Sequence, residues 1–216
     1  IDMIKTGRWR ENSYIVRHTP SNDLILIDPG GEEEAILELV ESHGATPKLV
    51  LLTHGHFDHV GALDSVCRRY DLPFYIHSHD HRLLRRAPLY AMSFERRILT
   101  IPKGYAAVDG AALEWSGDPV ECIHTPGHTN GSVCYHWNGL CFTGDTLLNK
   151  MVGRTDLPGS DGEDLRPSID RLLDAMSPET ILFPGHGGPW PVSKARDWWR
   201  EKRDNPPQYA MEGMTP

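Results

Sequence analysis

The sequence predicts an α/β chain in which helices pack on the faces of mixed β-sheets. Three observations carry that expectation. The first part of the chain alternates apolar strand-like runs with helix-period segments in a βαβαβ order. A second strand-rich stretch begins at Ala112 and is again followed by helical patterns. Four strand-like runs end at turns that carry His or Asp beside glycine, so the chemistry gathers at strand ends. At 216 residues one domain, 1–216, is expected, burying roughly 70% of the unfolded surface.

Asn12–Val16 and Leu24–Asp28 read as strands joined by the polar turn Thr19–Asp23. Asp28-Pro29-Gly30-Gly31 breaks the second of them. From Glu32 to Ser42 the residues Ile36, Leu37, Leu39 and Val40 mark the buried side of a helix, and Gly44 stops it. The apolar run Lys48–Leu52 reads as a buried strand leading to Thr53. A helix is expected over Asp58–Tyr70 with Asp58 as its N-cap, then a short strand at Pro73–Ile76.

His77-Ser78-His79-Asp80-His81 has metal-like spacing but lacks glycine framing and precedes an expected helix, Asp80–Arg86. It reads as solvated surface, with accessory metal binding as the alternative. Ala87–Gly110 shows no clean period although Leu89, Tyr90, Met92, Phe94, Ile98, Leu99 and Tyr105 fall within it. That stretch reads either as an ordinary connection or as a lid in which Arg96 or Arg97 holds a substrate carboxylate.

Strands are then expected at Leu113–Trp115, Val120–His124, Ser132–Trp137 and Leu140–Thr143, with Asn138-Gly139 as a two-residue hairpin turn. His124 and His136 read as packing residues. A helix follows over Glu163–Ala175, with Pro167 tolerable near its beginning. Thr180–Phe183 is the last expected strand and Ala195–Lys202 the last helix.

A net charge of −8 argues against a nucleic-acid partner. No apolar run approaches the ~18 residues of a membrane span, and no leader pattern opens the chain, so a cytoplasmic location is expected. Cys67, Cys122, Cys134 and Cys141 lack metal-type spacing and are expected to be reduced.

The stretch that the rest serves is Thr53-His54-Gly55-His56-Phe57-Asp58-His59. His54 and His56 are two apart at a strand end, so their rings share a side. Four potential ligands within six residues read as a metal site. Thr125-Pro126-Gly127-His128-Thr129, Phe142-Thr143-Gly144-Asp145-Thr146 and Phe183-Pro184-Gly185-His186-Gly187 complete the set. Imidazole and carboxylate donors without thiolates suit Zn, Fe or Mn.

In order and spacing these residues resemble the metallo-β-lactamase superfamily over roughly residues 12 to 188. The resemblance implies an αββα sandwich of two mixed sheets with helices on the outer faces. It further implies that His54, His56 and His128 hold one metal, that Asp58, His59 and His186 hold a second, and that Asp145 bridges them. Two Zn²⁺ ions are expected, Fe or Mn being the alternatives, with a shared hydroxide attacking an acyl carbonyl and Asp58 orienting it as the catalytic residue.

Asp145 argues against the drug-hydrolysing β-lactamases and His56 against the flavodiiron pattern. Gly153-Arg154-Thr155-Asp156 looks like the loop of the glyoxalase II group, and Arg154 is a candidate substrate contact or a brace of the second metal turn. Thirty residues follow His186, so the helical glutathione-binding domain of full-length glyoxalase II is not expected here. The expectation is a hydrolase of a thioester or related acyl ester acting on a small-molecule substrate. A mononuclear Fe(II) persulfide dioxygenase, a lactonase or biosynthetic hydrolase, and a non-catalytic binding module compete with it.

Overall fold

In the computed structural model, strand β3 (Asp23–Ile27) shows how the layers arise. Leu24 and Leu26 point to one face, Ile25 and Ile27 to the other, and all four are buried. Residues 1–110, 112–157 and 159–209 are described; Ala111, Pro158 of the glyoxalase-like loop and residues 210–216 of the expected domain lie outside them.

Before β3 come β1 (Asp2–Thr6) and β2 (Glu11–His18); after it come α1 (Glu33–Ser42), β4 (Thr46–Leu51), α2 (Leu63–Tyr70), β5 (Phe74–Ile76), α3 (His81–Glu95) and β6 (Ala106–Ala107). These six strands form one sheet in sequence order, antiparallel from β1 to β3 and parallel from β3 to β6. The second half supplies β7 (Leu113–Trp115), β8 (Asp118–His124), β9 (Val133–Trp137) and β10 (Leu140–Gly144). It continues with a small hairpin, β11 (Leu147–Leu148) and β12 (Met151–Val152), then α4 (Gly162–Ala175), β13 (Ile181–Pro184), β14 (Trp190–Pro191) and α5 (Val192–Lys202). The second six-stranded sheet runs β14-β13-β10-β9-β8-β7 and is mixed, β10 and β13 being parallel.

Three apolar clusters fill the gaps. Leu24, Leu26, Val50 and Leu52 meet Ile36, Val40, Leu63 and Val66 of the first helices. Ile25, Ile27 and Leu51 meet Trp115, Val120, Tyr135 and Phe142 between the sheets. Cys134, Cys141 and Leu182 meet Leu165, Ile169, Leu172 and Trp199 of α4 and α5. The order is helix, sheet, sheet, helix, the expected αββα sandwich. Each buried Leu or Ile stabilises it by about 1.5–3 kcal/mol.

Several boundaries differ from expectation. No helix starts at Asp58: Phe57–His59 is a single 3-10 turn and α2 begins at Leu63. Asp58 makes no capping hydrogen bond, because its carboxylate faces the site instead. The chain must first pass Gly61 across Pro29 and Gly30, where a Cβ at Gly61 would lie 1.9 Å from the Gly30 carbonyl and Ala62 N–H donates to Pro29 at 2.9 Å. Helix α3 runs nine residues past Arg86, through Pro88, to Glu95. Its buried stripe is Leu84, Ala87 and Ala91, so the apolar signal is weak where the proline suggests a break. Arg96 ends the helix with φ 57°, and residues 97–105 form no regular element. The strands β1, β6 and β14 and the hairpin β11–β12 differ from expectation, which places no element there. Asn138 and Gly139, both at positive φ, turn β9 into β10. No helix among the described residues is long and apolar enough to cross a membrane.

Candidate metal centre

Strands β4, β10 and β13 deliver their ends to the same edge of the sandwich. The parallel pairing of β10 with β13 places Gly144 beside Pro184, so Asp145 and Gly185 follow side by side. At Gly185 a Cβ would stand 2.3 Å from Asp145 Oδ1 and 2.7 Å from His59 Cε1; only glycine leaves space for the ligands there.

The structure brings all seven expected ligand residues into one buried centre. His54, His56 and His128 form one group and Asp58, His59 and His186 another, the donor atoms within each lying within 4.8 Å of one another. His56 Nδ1 and His128 Nε2 are 3.0 Å apart. Asp145 stands between the groups: Oδ1 is 3.6 Å from His59 Nε2, and Oδ2 is 3.7 Å from His128 Nε2 and 3.5 Å from His186 Nε2. Asp58 Oδ2 lies 3.6 Å from His186 Nε2 and 3.9 Å from His59 Nε2. None of the seven exceeds 6% exposure.

The outer nitrogens of four rings are anchored away from the centre. His128 Nδ1 donates to the Arg154 carbonyl at 2.8 Å and His186 Nδ1 to the Trp9 carbonyl at 3.1 Å. His59 Nδ1 donates to Asp28 Oδ2 at 3.0 Å. His54 Nδ1 lies 3.0 Å from Thr53 Oγ1, which itself donates to Asp28 Oδ2. Such partners fix ring orientation and leave the inner nitrogen as a donor to a cation. Tyr209 stacks on His186 with ring centroids 4.3 Å apart.

Electrostatics follow from burial and crowding. Burial, then His128, pushes the His56 imidazolium down to about 3; burial and the neighbouring rings also lower His54 and His128. These rings are neutral at neutral pH, with their lone pairs available. Burial alone would raise Asp58 and Asp145, yet the surrounding histidines hold both below the usual carboxylate range. For His59, Asp145, Asp58 and Asp28 overcome burial and raise its pKa. Buried Glu11 stands 3.8 Å behind it.

Whether a metal fits can be judged from unsatisfied atoms. His54 Nε2, His59 Nε2, His186 Nε2, Asp145 Oδ1 and both Asp58 carboxylate oxygens are buried without a hydrogen-bond partner. Leaving such a group unsatisfied costs about 1–3 kcal/mol, more when charged. Divalent cations held by these residues would satisfy them together, and the nitrogen and oxygen donors suit Zn, Fe or Mn.

The three candidate substrate arginines are placed differently. Arg154 Nε and Nη2 donate to Asp156 at 2.6 and 2.8 Å, while its carbonyl supports His128. Arg97 donates to Glu95 at 2.9 Å and lies against Gly61. Arg96 is exposed at the end of α3.

Several residues of the site escaped the sequence reading. Asp28 carried a usable signal, since it too ends a strand before a Pro-Gly pair. Asp80 carried none. It is 1% exposed rather than solvated, and accepts hydrogen bonds from Gly55 N, Gly131 N and Thr129 Oγ1, each at 2.8 Å. It thereby ties the His54–His56 turn to the His128 turn. Beside it a cavity of about 220 Å³ is lined by Arg82, Arg86, Tyr90, Thr129 and Asn130. Neither Arg82 nor Arg86 has an ion-pair partner among the described residues.

Comparison with known proteins agrees with this geometry. Residues 6–186 match the sequence profile of the metallo-beta-lactamase superfamily. Hydroxyacylglutathione hydrolase GloC of Haemophilus influenzae is 32% identical, over 95% of this chain and 96% of its own. The crystal structure of TTHA1623 in a di-iron-bound form is 36% identical with a TM-score of 0.83, covering 91% of this chain and 98% of that one. That of BLEG-1, a B3 metallo-beta-lactamase, is 31% identical with a TM-score of 0.84, covering 91% and 96%. Profile, relatives and ligand geometry converge, and the chain belongs to the metallo-beta-lactamase superfamily.

Proposed function

We propose that this protein is a dinuclear metal-dependent hydrolase that cleaves a small-molecule thioester or related acyl ester. His54, His56 and His128 hold one cation, Asp58, His59 and His186 the other, and Asp145 serves both. The observation that carries the reading is the pair of buried ligand groups sharing Asp145, with their donor atoms unsatisfied by the protein. Bound there, two divalent cations supply Lewis acidity toward an acyl oxygen and acidify water toward a pKa of ~7.

The chain's own residues do the rest. Asp58, its oxygens unpaired and its carboxyl ionised, orients an attacking water and accepts its hydrogen bond. Asp28 fixes His59 directly and His54 through Thr53, so one carboxylate sets a ring in each group. Arg82 and Arg86 line the cavity next to Thr129, one residue from His128, and meet an anionic part of the substrate. Arg96 and Arg97 remain candidates for the same role from the end of α3, whereas the contacts of Arg154 suit a brace for His128. Preference for a thioester is supported by likeness to GloC. Likeness to BLEG-1 favours one rival class, a β-lactam, which also presents an acyl carbonyl.

Protein purified without added metal should carry close to two cation equivalents by element-resolved mass spectrometry. It should hydrolyse acyl thioesters at least about tenfold faster, in kcat/KM, than lactones or β-lactams, a difference of ~1.4 kcal/mol in barrier. Two bound cations without thioester turnover would sink the reading. One iron equivalent with oxygen uptake on a persulfide would replace it by a dioxygenase.

A further inference from the structure

The irregular segment 97–105 and the side of α3 that faces it are not absorbed by the function above. Between them lies a cavity of about 500 Å³, a size usual for small-molecule sites. It shares no lining residue with the buried centre or with the cavity beside Thr129. We infer that it is a separate binding site for a phosphate-bearing small molecule with a flat ring, a nucleoside monophosphate being the type.

The lining divides into a part for the ring and a part for the phosphate. Phe74, Leu84 and Leu99 are buried and give the cavity an apolar floor. His81 and Tyr105 add a flat wall, their rings stacked with centroids 4.3 Å apart and 29° between the planes. Apolar and aromatic surfaces of this kind take a planar ring by offset stacking. Arg85 comes from α3 and Lys103 from the segment opposite, and both line the same space. Neither has an ion-pair partner among the described residues. Two cations from different elements match a phosphate, which carries a charge of about −1.5 to −2, better than a single carboxylate.

The proline within α3 points to the same place. Pro88 has no N–H to donate to the Leu84 carbonyl one turn earlier. An alanine, as at Ala87 and Ala91, would have kept that bond. Because Leu84 and Pro88 both line the cavity, the helix lacks a hydrogen bond at this wall, where a ligand hydroxyl or amino group can supply the donor.

The site lies directly behind a ligand turn of the buried centre. At Gly55, between His54 and His56, a Cβ would stand 2.8 Å from the Leu84 nitrogen and 3.1 Å from the Asp80 carbonyl oxygen. Leu84 therefore meets that turn and the cavity at once, and a bound ligand steadies the first turns of α3 against it.

The test uses the protein with its resident metals in place. Isothermal titration calorimetry with adenosine monophosphate should show one equivalent bound with a Kd below ~100 μM. Adenosine and inorganic phosphate should each bind at least about tenfold more weakly, since each fills one part only. Arg85→Gln/Lys103→Gln, both at exposed positions, should weaken the nucleotide at least about tenfold and keep the resident metal content. Lys103→Gln alone, outside any helix, should weaken it by about threefold. Arg82→Gln/Arg86→Gln should bind it as the wild type does. Hydrogen exchange should slow across residues 99–105 when it is added. Absence of binding up to millimolar nucleotide overturns the inference, and so does affinity unchanged in the Arg85/Lys103 variant. Inorganic phosphate binding as tightly as the nucleotide also overturns it, because the site would then read charge alone. Binding that is lost on stripping the metals yet survives in the Arg85/Lys103 variant would place the phosphate on the buried centre and overturn it too. None of these readouts depends on which substrate the enzyme hydrolyses.

Discussion

Two neighbouring parallel strands, β4 and β5, each run into a His-x-His pair, and each pair is joined by an imidazole from the far end of β8 or the turn after it. The trio His54, His56 and His128 is wholly buried, shares its space with Asp58 and Asp145, and is oriented through Thr53 and Asp28. The trio His77, His79 and His124 grades from buried to exposed, and its rings meet Asp109, the Asn130 carbonyl and the His79 N–H. Histidine spacing is therefore common to both places, and burial with carboxylates separates them. In the inner cluster the donor atoms are buried without a hydrogen-bond partner, so bound cations would add to the stability of the fold. In the outer cluster, no ring nitrogen is buried without a partner, and His79 is open to solvent.

Removing the carboxylate common to both inner groups is the harshest test of that contrast. Asp145→Ala should lower kcat/KM by on the order of 10³-fold or more, since it misplaces both cations, while circular dichroism stays native. Normal turnover in that variant would show that the inner cluster is not the catalytic centre. His136→Ala, whose imidazole on β9 bonds Glu121 at the surface, serves as the matched control and should leave kcat/KM for the same thioester within about twofold, as expected of a surface change.

Chelation should separate the clusters thermodynamically. A ligand that binds only the folded state at a hundred times its Kd adds about 2.7 kcal/mol. At ~2–4 °C per kcal/mol for a chain of this size, stripping one tightly held inner cation should lower the melting temperature by roughly 5–10 °C. Scanning calorimetry with and without chelator would read it, and an unchanged transition would mean that the unsatisfied donors are not satisfied by metal. In His79→Ala the same fall should persist, because it originates in the inner cluster.

What could be read in advance divides along physical lines. The inner ligands sit at glycine-framed strand ends, and those ends are marked by short apolar runs that a sequence displays, as at Lys48–Leu52. The layers were legible for the same reason: Leu24, Ile25, Leu26 and Ile27 can all be buried only in a sheet covered on both faces. Helix α3 was not legible, because alanines at Ala87 and Ala91 make its buried stripe and Pro88 imitates a stop. Asp58 was misread as an N-cap because a short polar side chain before an apolar run looks the same whether it faces an amide or a cation. Asp80 depends on contacts across 25, 49 and 51 residues of sequence, and His124 on contacts across 45 and 47. No local pattern encodes those contacts, and they decide whether a histidine is packing, surface or ligand.

The smallest expected effect concerns the space between the clusters. The cavity of about 220 Å³ is lined on one side by His79 and Asp80 and on the other by Thr129, beside His128. Arg82 and Arg86, one helical turn apart, present their side chains to it from the same face of α3. The chain carries a net −8, yet α3 sets three arginines, Arg82, Arg85 and Arg86, before its first acid at Glu95. Leaving cations unpaired on an acidic protein is unfavourable for the free enzyme and is offset only when an anion arrives. Exposed ion pairs contribute about 0.2–1 kcal/mol each, so Arg82→Gln/Arg86→Gln should raise KM about two- to thirtyfold for a carboxylate- or phosphate-bearing thioester. The unchanged kcat would mark a contact equally strong in ground and transition states. Raised salt should shrink the difference from wild type, because these charges are screened. A neutral thioester should show no change in KM. An equal rise for neutral and anionic substrates would instead mean that the substitutions disturb α3 itself, and the cavity would lose its claim to be where the substrate's charge is read.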